Sequence, residues 1–224
     1  RAMGAPSWMD KPLRVTEIFV SIQGESTWAG APCVFVRLTG CGVRCSYCDT
    51  PYAYDGGEIM TVGEVVARCR AGAPRLVEIT GGEPLEQEHC PALAQALLDS
   101  GFTVLCETSG TQPIARLPEA VIKIVDFKCP GSGVEHRNDW SNVDALTARD
   151  EVKFVIGDRV DYEWSCANVH AYNLDQRCHA VLFAPVFGRI APRTLAEWIV
   201  KDGLPVRFQI QIHKYVWPPD QRGV

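Results

Sequence analysis

The sequence predicts an α/β fold: a single domain built as a partial, open TIM-like barrel with a reduced helix set. Three observations predict it. Seven short apolar runs recur along the chain, helical patterns separate most of them, and one connecting segment is too short and too broken for a helix. The runs are "CVFVRL" (33–38), "LVEI" (76–79), "FTVLCE" (102–107), "VIKIVDF" (121–127), "EVKFVI" (151–156), "AVLFA" (180–184) and "RFQIQI" (207–212). Upstream, "RVTEIFVSIQGESTWAG" begins with near-alternating apolar residues, so it reads as an extra strand running into a polar loop.

The first helix opens at Thr61 with Glu64 three residues on, a capping-box pattern, and runs through "VGEVVARCRAG" to a glycine stop. The second, "HCPALAQALLDSG", stops in the same way at Gly101. Between strands three and four lies "TSGTQPIARLPEA", where two prolines leave the crossover helix reduced or missing. Later helices fall at about 158–172 and 192–202, the latter with Pro192 suited to a first turn.

With 224 residues, 46% of them hydrophobic, the chain buries one substantial core, and residues 9–224 read as one catalytic domain. Residues 1–8 read as a cloning remnant, with Met9 as the start. A formal charge of −5 and the lack of any basic run argue against a nucleic-acid partner. No apolar run approaches the roughly 20 residues that span a bilayer, and no signal peptide opens the chain, so a cytoplasmic location without membrane attachment is expected.

Six of the ten cysteines (Cys33, Cys69, Cys90, Cys106, Cys166 and Cys178) sit singly in strand or helix patterns, where a thiol packs as a small hydrophobe. Cys41, Cys45 and Cys48 instead form a local C-x3-C-x2-C trio beside Gly40 and Gly42. Every other unusual motif also follows a strand: "TGGEP" after the second, "ETSG" at the end of the third, Lys128 after the fourth, "PVFGR" after the sixth and "HKY" after the seventh. Loops at the carboxyl ends of parallel strands converge on one mouth, so this placement indicates an enzyme.

Three thiolates fit a [4Fe–4S] cluster that leaves one iron open for a small-molecule ligand. A zinc site completed by a distant Cys or His, or plain packing, stay open as alternatives, and Cys129 in "KCPG" is the nearest fourth thiol. Arg37 in an apolar strand requires an anion, either a bound carboxylate or a structural ion-pair partner. Gln23 and Glu25 offer hydrogen-bond donors and acceptors to a polar ligand, or form a polar turn. Asp49 and Thr50 suit a helix or turn cap, and Lys153 and Lys214 suit a ligand or an ordinary salt bridge.

The trio with its aromatic in "CSYC", followed after the next strand by "TGGEP", resembles the radical S-adenosylmethionine (SAM) superfamily. That resemblance implies a [4Fe–4S] cluster on Cys41, Cys45 and Cys48 whose open iron chelates SAM, with Tyr47 beside the cofactor. It sets Gly81, Gly82 and Glu83 against the methionine amino group. From residue 15 to residue 224, "EIFVSIQGEST", "FVRLTGCGVRCSYCDT", "TGGEP", "ETSG" and "HKYVWPPDQRGV" resemble the 7-carboxy-7-deazaguanine synthase family of the 7-deazapurine (queuosine precursor) pathway. What that implies is a homodimeric, Mg2+-requiring lyase that contracts the ring of 6-carboxy-5,6,7,8-tetrahydropterin with loss of ammonia. A one-electron reductant such as flavodoxin or ferredoxin would supply it.

Carried over residue by residue, the family pattern gives Gln23, Gly24, Glu25, Arg37, Thr80 and His213 to the substrate, and Thr50 to Mg2+. Glu107, Ser109 and Lys128 fall on the SAM side. Ala184 stands where some members carry a Gln that meets the adenosine, and this chain continues past "HKY" through Pro218 and Pro219. Rival readings are another small radical SAM enzyme, such as a glycyl-radical activase, and a non-catalytic Fe–S or zinc module. "QGE", Arg37 and "HKY" speak against the first, and a fourth local ligand would favour the second.

Overall fold

Strand β1 (Pro12–Ile22) pairs antiparallel with β2 (Pro32–Leu38) on one side and with β3 (Glu58–Thr61) on the other. From β2 the sheet runs parallel through β4 (Leu76–Gly81), β5 (Thr103–Thr108), β6 (Ile122–Asp126), β7 (Glu151–Ile156), β8 (Ala180–Pro185) and β9 (Arg207–Phe208). The order β3-β1-β2-β4-β5-β6-β7-β8-β9 never closes, so this is the expected open barrel. The computed structural model describes residues 7–224. Residues 1–6, most of the segment read as a cloning remnant, lie outside the described residues, and Trp8 packs against the core.

Period-two alternation decides which side chains face the lumen. Val34, Val36, Val77, Ile79, Val104, Val152 and Phe154 join the large core beneath the helices. Their neighbours Cys33, Phe35, Leu76, Leu105, Ile122 and Ile124 form a second apolar cluster, which Phe19 and Trp28 cover. Towards the carboxyl ends the same lumen-facing positions turn polar, at Arg37, Glu78, Thr80, Glu107, Asp126 and Lys153. The lumen is thus dry below and charged above.

Helices α1 (Val62–Ala71), α2 (Cys90–Asp99), α3 (Arg159–Tyr172), α4 (Leu174–Arg177), α5 (Pro192–Asp202) and α6 (His213–Val216) complete the chain. The crossover from β5 to β6 carries only a 3-10 turn at Ile114–Arg116, in line with its prolines. The crossover from β6 to β7 also lacks an α-helix, which the sequence reading did not anticipate; three 3-10 turns stand there instead. Trp140 fills the space, its ring stacked 4.5 Å from Phe127 and 4.5 Å from Tyr172.

Two further differences concern strands. The short β3 is an addition, and β9 covers only Arg207–Phe208 rather than 207–212. Beyond Phe208 the chain leaves the ladder and crosses the open side of the barrel. There Gln209 Oε1 accepts from Ser26 N at 2.8 Å, and Ile212 N donates to Gly24 O at 3.0 Å. Among the described residues no helix is long and apolar enough to cross a membrane.

The predicted capping box is present: Glu64 N donates to Thr61 Oγ1 at 3.2 Å, and Thr61 N donates to Glu64 Oε2 at 2.7 Å. Thr61→Ala is therefore expected to destabilise the fold by about 1 kcal/mol in urea-induced unfolding.

Candidate active site

The loops at the carboxyl ends of the parallel strands enclose a cavity of about 500 Å3. All the site residues singled out from the sequence line it, except Glu83. The structure brings together Gln23, Gly24, Glu25, Arg37, Thr80 and His213 with Cys41, Cys45, Tyr47, Cys48 and Thr50, and with Gly81, Gly82, Glu107, Ser109 and Lys128. Val224 lines it as well.

The cysteine loop is held mainly through its backbone. Gly40, at φ +101°, donates to Ala53 O at 2.8 Å and accepts from Glu83 N at 2.8 Å. Gly82 lies so close that a Cβ there would overlap the Gly40 carbonyl. Gly42 N donates to both Glu86 carboxylate oxygens, at 3.0 and 2.8 Å, and Arg137 donates to Gly42 O. Ser46 is fastened to the loop after β6 through Ser132 O (3.0 Å) and Gly131 O (2.8 Å). Three half-buried thiols therefore stand on a braced loop at the cavity wall.

Burial pushes the Cys41 and Cys45 thiols up, so their thiolate forms call for a positive group at this wall. An iron–sulfur cluster fits that demand. Cys129, the nearest candidate for a fourth ligand, is fully buried in the outer core with its Sγ 3.4 Å from Ser165 Oγ.

Glu83 departs from its expected place. Rather than facing the cavity, its carboxylate is buried and accepts from Thr108 Oγ1 (2.7 Å), Ser109 Oγ (2.6 Å), Ser109 N (2.7 Å) and Leu85 N (3.0 Å). Four donors satisfy a buried carboxylate well, so Glu83 ties the end of β4 to the end of β5. Ser109 is its chief partner, while still lining the cavity.

The opposite wall is ionic. Lys153 is 3% exposed, and its ammonium donates to Glu107, lies 3.4 Å from Glu25 Oε1 and 3.7 Å from Asp126 Oδ2. Burial alone would push its pKa down, but Glu107, Glu25 and Asp126 together raise it well above the usual lysine value. Lys128 pairs with Asp126 Oδ2 at 2.8 Å and is likewise raised, its burial outweighed by Asp126 and then by Cys45 and Tyr47. Asp126 Oδ1 is buried without a protein partner among the described residues.

Arg37 makes the structural ion pair that one of its sequence readings called for. Its Nε pairs with Glu17 Oε1 at 2.8 Å and its Nη1 donates to Gly81 O at 3.3 Å. Among the described residues nothing accepts from Nη2, so one edge of the guanidinium can still meet a bound anion. Lys214 pairs with Asp49 Oδ2 at 2.9 Å. Burial works against the Asp49 charge, yet Lys214 and the Gln211 hydrogen bond hold that carboxyl well below the usual range. The His213 ring packs on Gly24, where no Cβ could fit, and its pKa is lowered by burial and by the Lys214 charge. Thr50 follows on the cysteine loop, its Oγ1 3.9 Å from Cys48 Sγ.

Sequence reasoning passed over Glu78 and Asp126, both of which line the cavity. The signal was the one used for Arg37: an ionisable residue inside an apolar strand, here "LVEI" and "VIKIVDF".

Two outcomes follow from this geometry. Gly82→Ala is expected to displace the Gly40 carbonyl and lower the iron bound per chain after anaerobic reconstitution, read by metal analysis. In an NMR titration His213 is expected to lose its proton below pH 6.5, its ordinary value. Lys214→Met should move that midpoint upward, because it removes a cation and leaves Asp49 unopposed.

The radical SAM superfamily model matches residues 35–183. A 7-carboxy-7-deazaguanine synthase from Koribacter versatilis is 44% identical over 226 residues, covering 95% of this chain and 100% of that protein. Another, from Chlorobaculum tepidum, is 47% identical over 218 residues, covering 96% of this chain and 99% of that protein. The crystal structure of QueE from Escherichia coli shares the fold, with a TM-score of 0.74 at 24% identity, covering 89% of this chain and 94% of that one. The family model spans about two thirds of the chain and the relatives match it over nearly its full length, so the chain belongs to the radical SAM superfamily and, within it, to the 7-carboxy-7-deazaguanine synthase family.

Proposed function

We propose that this protein converts 6-carboxy-5,6,7,8-tetrahydropterin into 7-carboxy-7-deazaguanine with loss of ammonia. The observation that carries this reading is the meeting, in one cavity, of the three-thiol loop with a wall that holds Arg37, Gln23, Glu25 and His213. Near full-length similarity to 7-carboxy-7-deazaguanine synthases supports it.

When bound, the cluster and SAM supply a carbon-centred radical that takes a hydrogen atom from the substrate. Cys41, Cys45 and Cys48 would hold the cluster, and Tyr47, Gly81, Gly82, Glu107, Ser109 and Lys128 the SAM side of the cavity. Glu83 acts from beneath, by fixing Ser109. On the substrate side, Arg37 binds the carboxylate through the guanidinium edge that Glu17 leaves free, and Glu17 keeps that edge in place. Gln23 and Glu25 read the aminopyrimidinone edge, with Gly24 leaving room for the His213 ring. Thr80 lies on the lumen face beside Arg37, with which it shares a register position. Phe35, Leu105 and Ile124 close the lumen below and exclude water from the reacting carbon.

Thr50 would give one hydroxyl oxygen to Mg2+, with water and substrate oxygens completing the shell. A homodimer, a cytoplasmic location and a one-electron reductant such as flavodoxin or ferredoxin belong to the same reading.

The test is anaerobic turnover of cluster-loaded protein with SAM, reductant, Mg2+ and 6-carboxytetrahydropterin, followed by mass spectrometry. 7-Carboxy-7-deazaguanine is expected, with none from Cys45→Ala. Cleavage of SAM without that product would keep the superfamily and discard the substrate.

A further inference from the structure

Glu78 has no part in the function described so far, yet it is a carboxyl set into the wall of the cavity and only 3% exposed. It sits on the lumen face of β4, one layer below Thr80, opposite Phe35 on β2 and Leu105 on β5. A carboxyl flanked by Phe35 and Leu105, at the boundary between the apolar and the polar layers, is costly unless it performs a task that an apolar residue cannot. Its partner shows the task. Gln23 Nε2 donates to Glu78 Oε2 at 2.5 Å, while Gln23 Oε1 accepts from Glu25 N at 3.2 Å.

These two contacts specify one orientation of the Gln23 amide. The Glu25 backbone N–H can only donate, so the amide oxygen must face it. The amide nitrogen is then turned to Glu78, which accepts. Gln23, itself 3% exposed, thereby links the strand to the turn that carries Glu25. Flipping the amide would set N–H against N–H at Glu25. Loss of the Glu78 acceptor would leave Nε2 unpaired and remove the restraint on the turn.

We propose that Glu78 is a positioning residue for substrate recognition: through Gln23 it sets the amide orientation and the place of the Gln23–Gly24–Glu25 turn against the substrate. The inference rests on the substrate reading above. Burial, reinforced by Glu107, holds the Glu78 carboxyl well above the usual carboxylate range. Gln23 needs only an acceptor there, so a charge on Glu78 is not required. A neutral amide acceptor should therefore serve, whereas an apolar side chain should not.

The experiment compares Glu78→Gln and Glu78→Leu with the unaltered protein, all cluster-loaded and anaerobic. Dissociation constants for 6-carboxytetrahydropterin and for SAM are measured separately by calorimetry. Glu78→Leu is expected to weaken pterin binding about tenfold or more. SAM binding should stay within about twofold and Glu78→Gln within about threefold of the unaltered protein for both ligands. Unchanged pterin affinity in Glu78→Leu would overturn the proposal. So would an equal loss of pterin and SAM affinity, which marks general damage to the fold.

A ligand-free measurement separates this idea from the substrate assignment. The Gln23 side-chain amide resonances should be shifted by a strong acceptor in the unaltered protein and in Glu78→Gln, and should move in Glu78→Leu. If the unaltered protein binds SAM but no pterin, the substrate reading fails, and those resonances still decide whether Glu78 holds Gln23. Resonances that stay put in Glu78→Leu would overturn the positioning role.

Discussion

Burying an ammonium is the constraint around which this lumen is organised. Lys153 is removed from water on β7, and desolvation of that kind costs several kcal/mol unless opposite charge stands nearby. The compensation comes from three directions: Glu107 on β5, Asp126 on β6 and Glu25 on the turn after β1. Asp126 is itself buried and Glu25 and Glu107 are partly so, and moving any one of them would leave the ammonium less compensated. The ion network thus couples parallel strands to an antiparallel strand that shares no ladder with them. It also holds the turn that bears Glu25 at a fixed separation from the ends of β5 and β6.

The second organising element is backbone crowding at the cysteine loop. A loop carrying three metal-binding thiols must be both irregular and rigid, and side-chain packing alone rarely achieves that. Here the Gly40 carbonyl is pressed against Gly82 and accepts from Glu83 N, while Glu86 and Arg137 hold the two polar groups of Gly42. Glu83, by accepting from Ser109 and Thr108, extends the same bracing to the next strand. The "TGGEP" segment works as a hinge pin between neighbouring loops at least as much as a ligand wall.

Much of this was legible in the sequence, for local reasons. The cysteine spacing, the glycine pair and the capping box at Thr61 are short-range patterns, and all seven parallel strands fall where apolar runs predict them. Glu83 shows the limit: the motif reveals that a carboxylate is required, but the direction it turns depends on donors on β5. Glu78 and Asp126 show another: the sequence marks each as an ionisable residue in an apolar strand, but which groups it faces follows only from the phase of its strand relative to its neighbours. "RFQIQI" keeps its alternation past Phe208, yet there the chain bonds to the turn after β1, Gln209 with Ser26 and Ile212 with Gly24, a long-range contact that no local pattern reveals. The β6–β7 crossover carries no helix for a similarly non-local reason, its volume being taken by Trp140 between Phe127 and Tyr172.

The contact of Ile212 with Gly24 has a kinetic consequence. It joins the two ends of the sequence across the open side of the barrel, and Gln209 reinforces it at Ser26. Contacts this distant along the chain form late, because the loop they close carries the largest entropic cost. During synthesis the parallel strands can assemble in order, each on the one before, while the turn bearing Gln23 and Glu25 waits for its last neighbours. That turn then sets after most of the sheet, so the shape of the cavity is completed later than the strands that carry most of its charged groups.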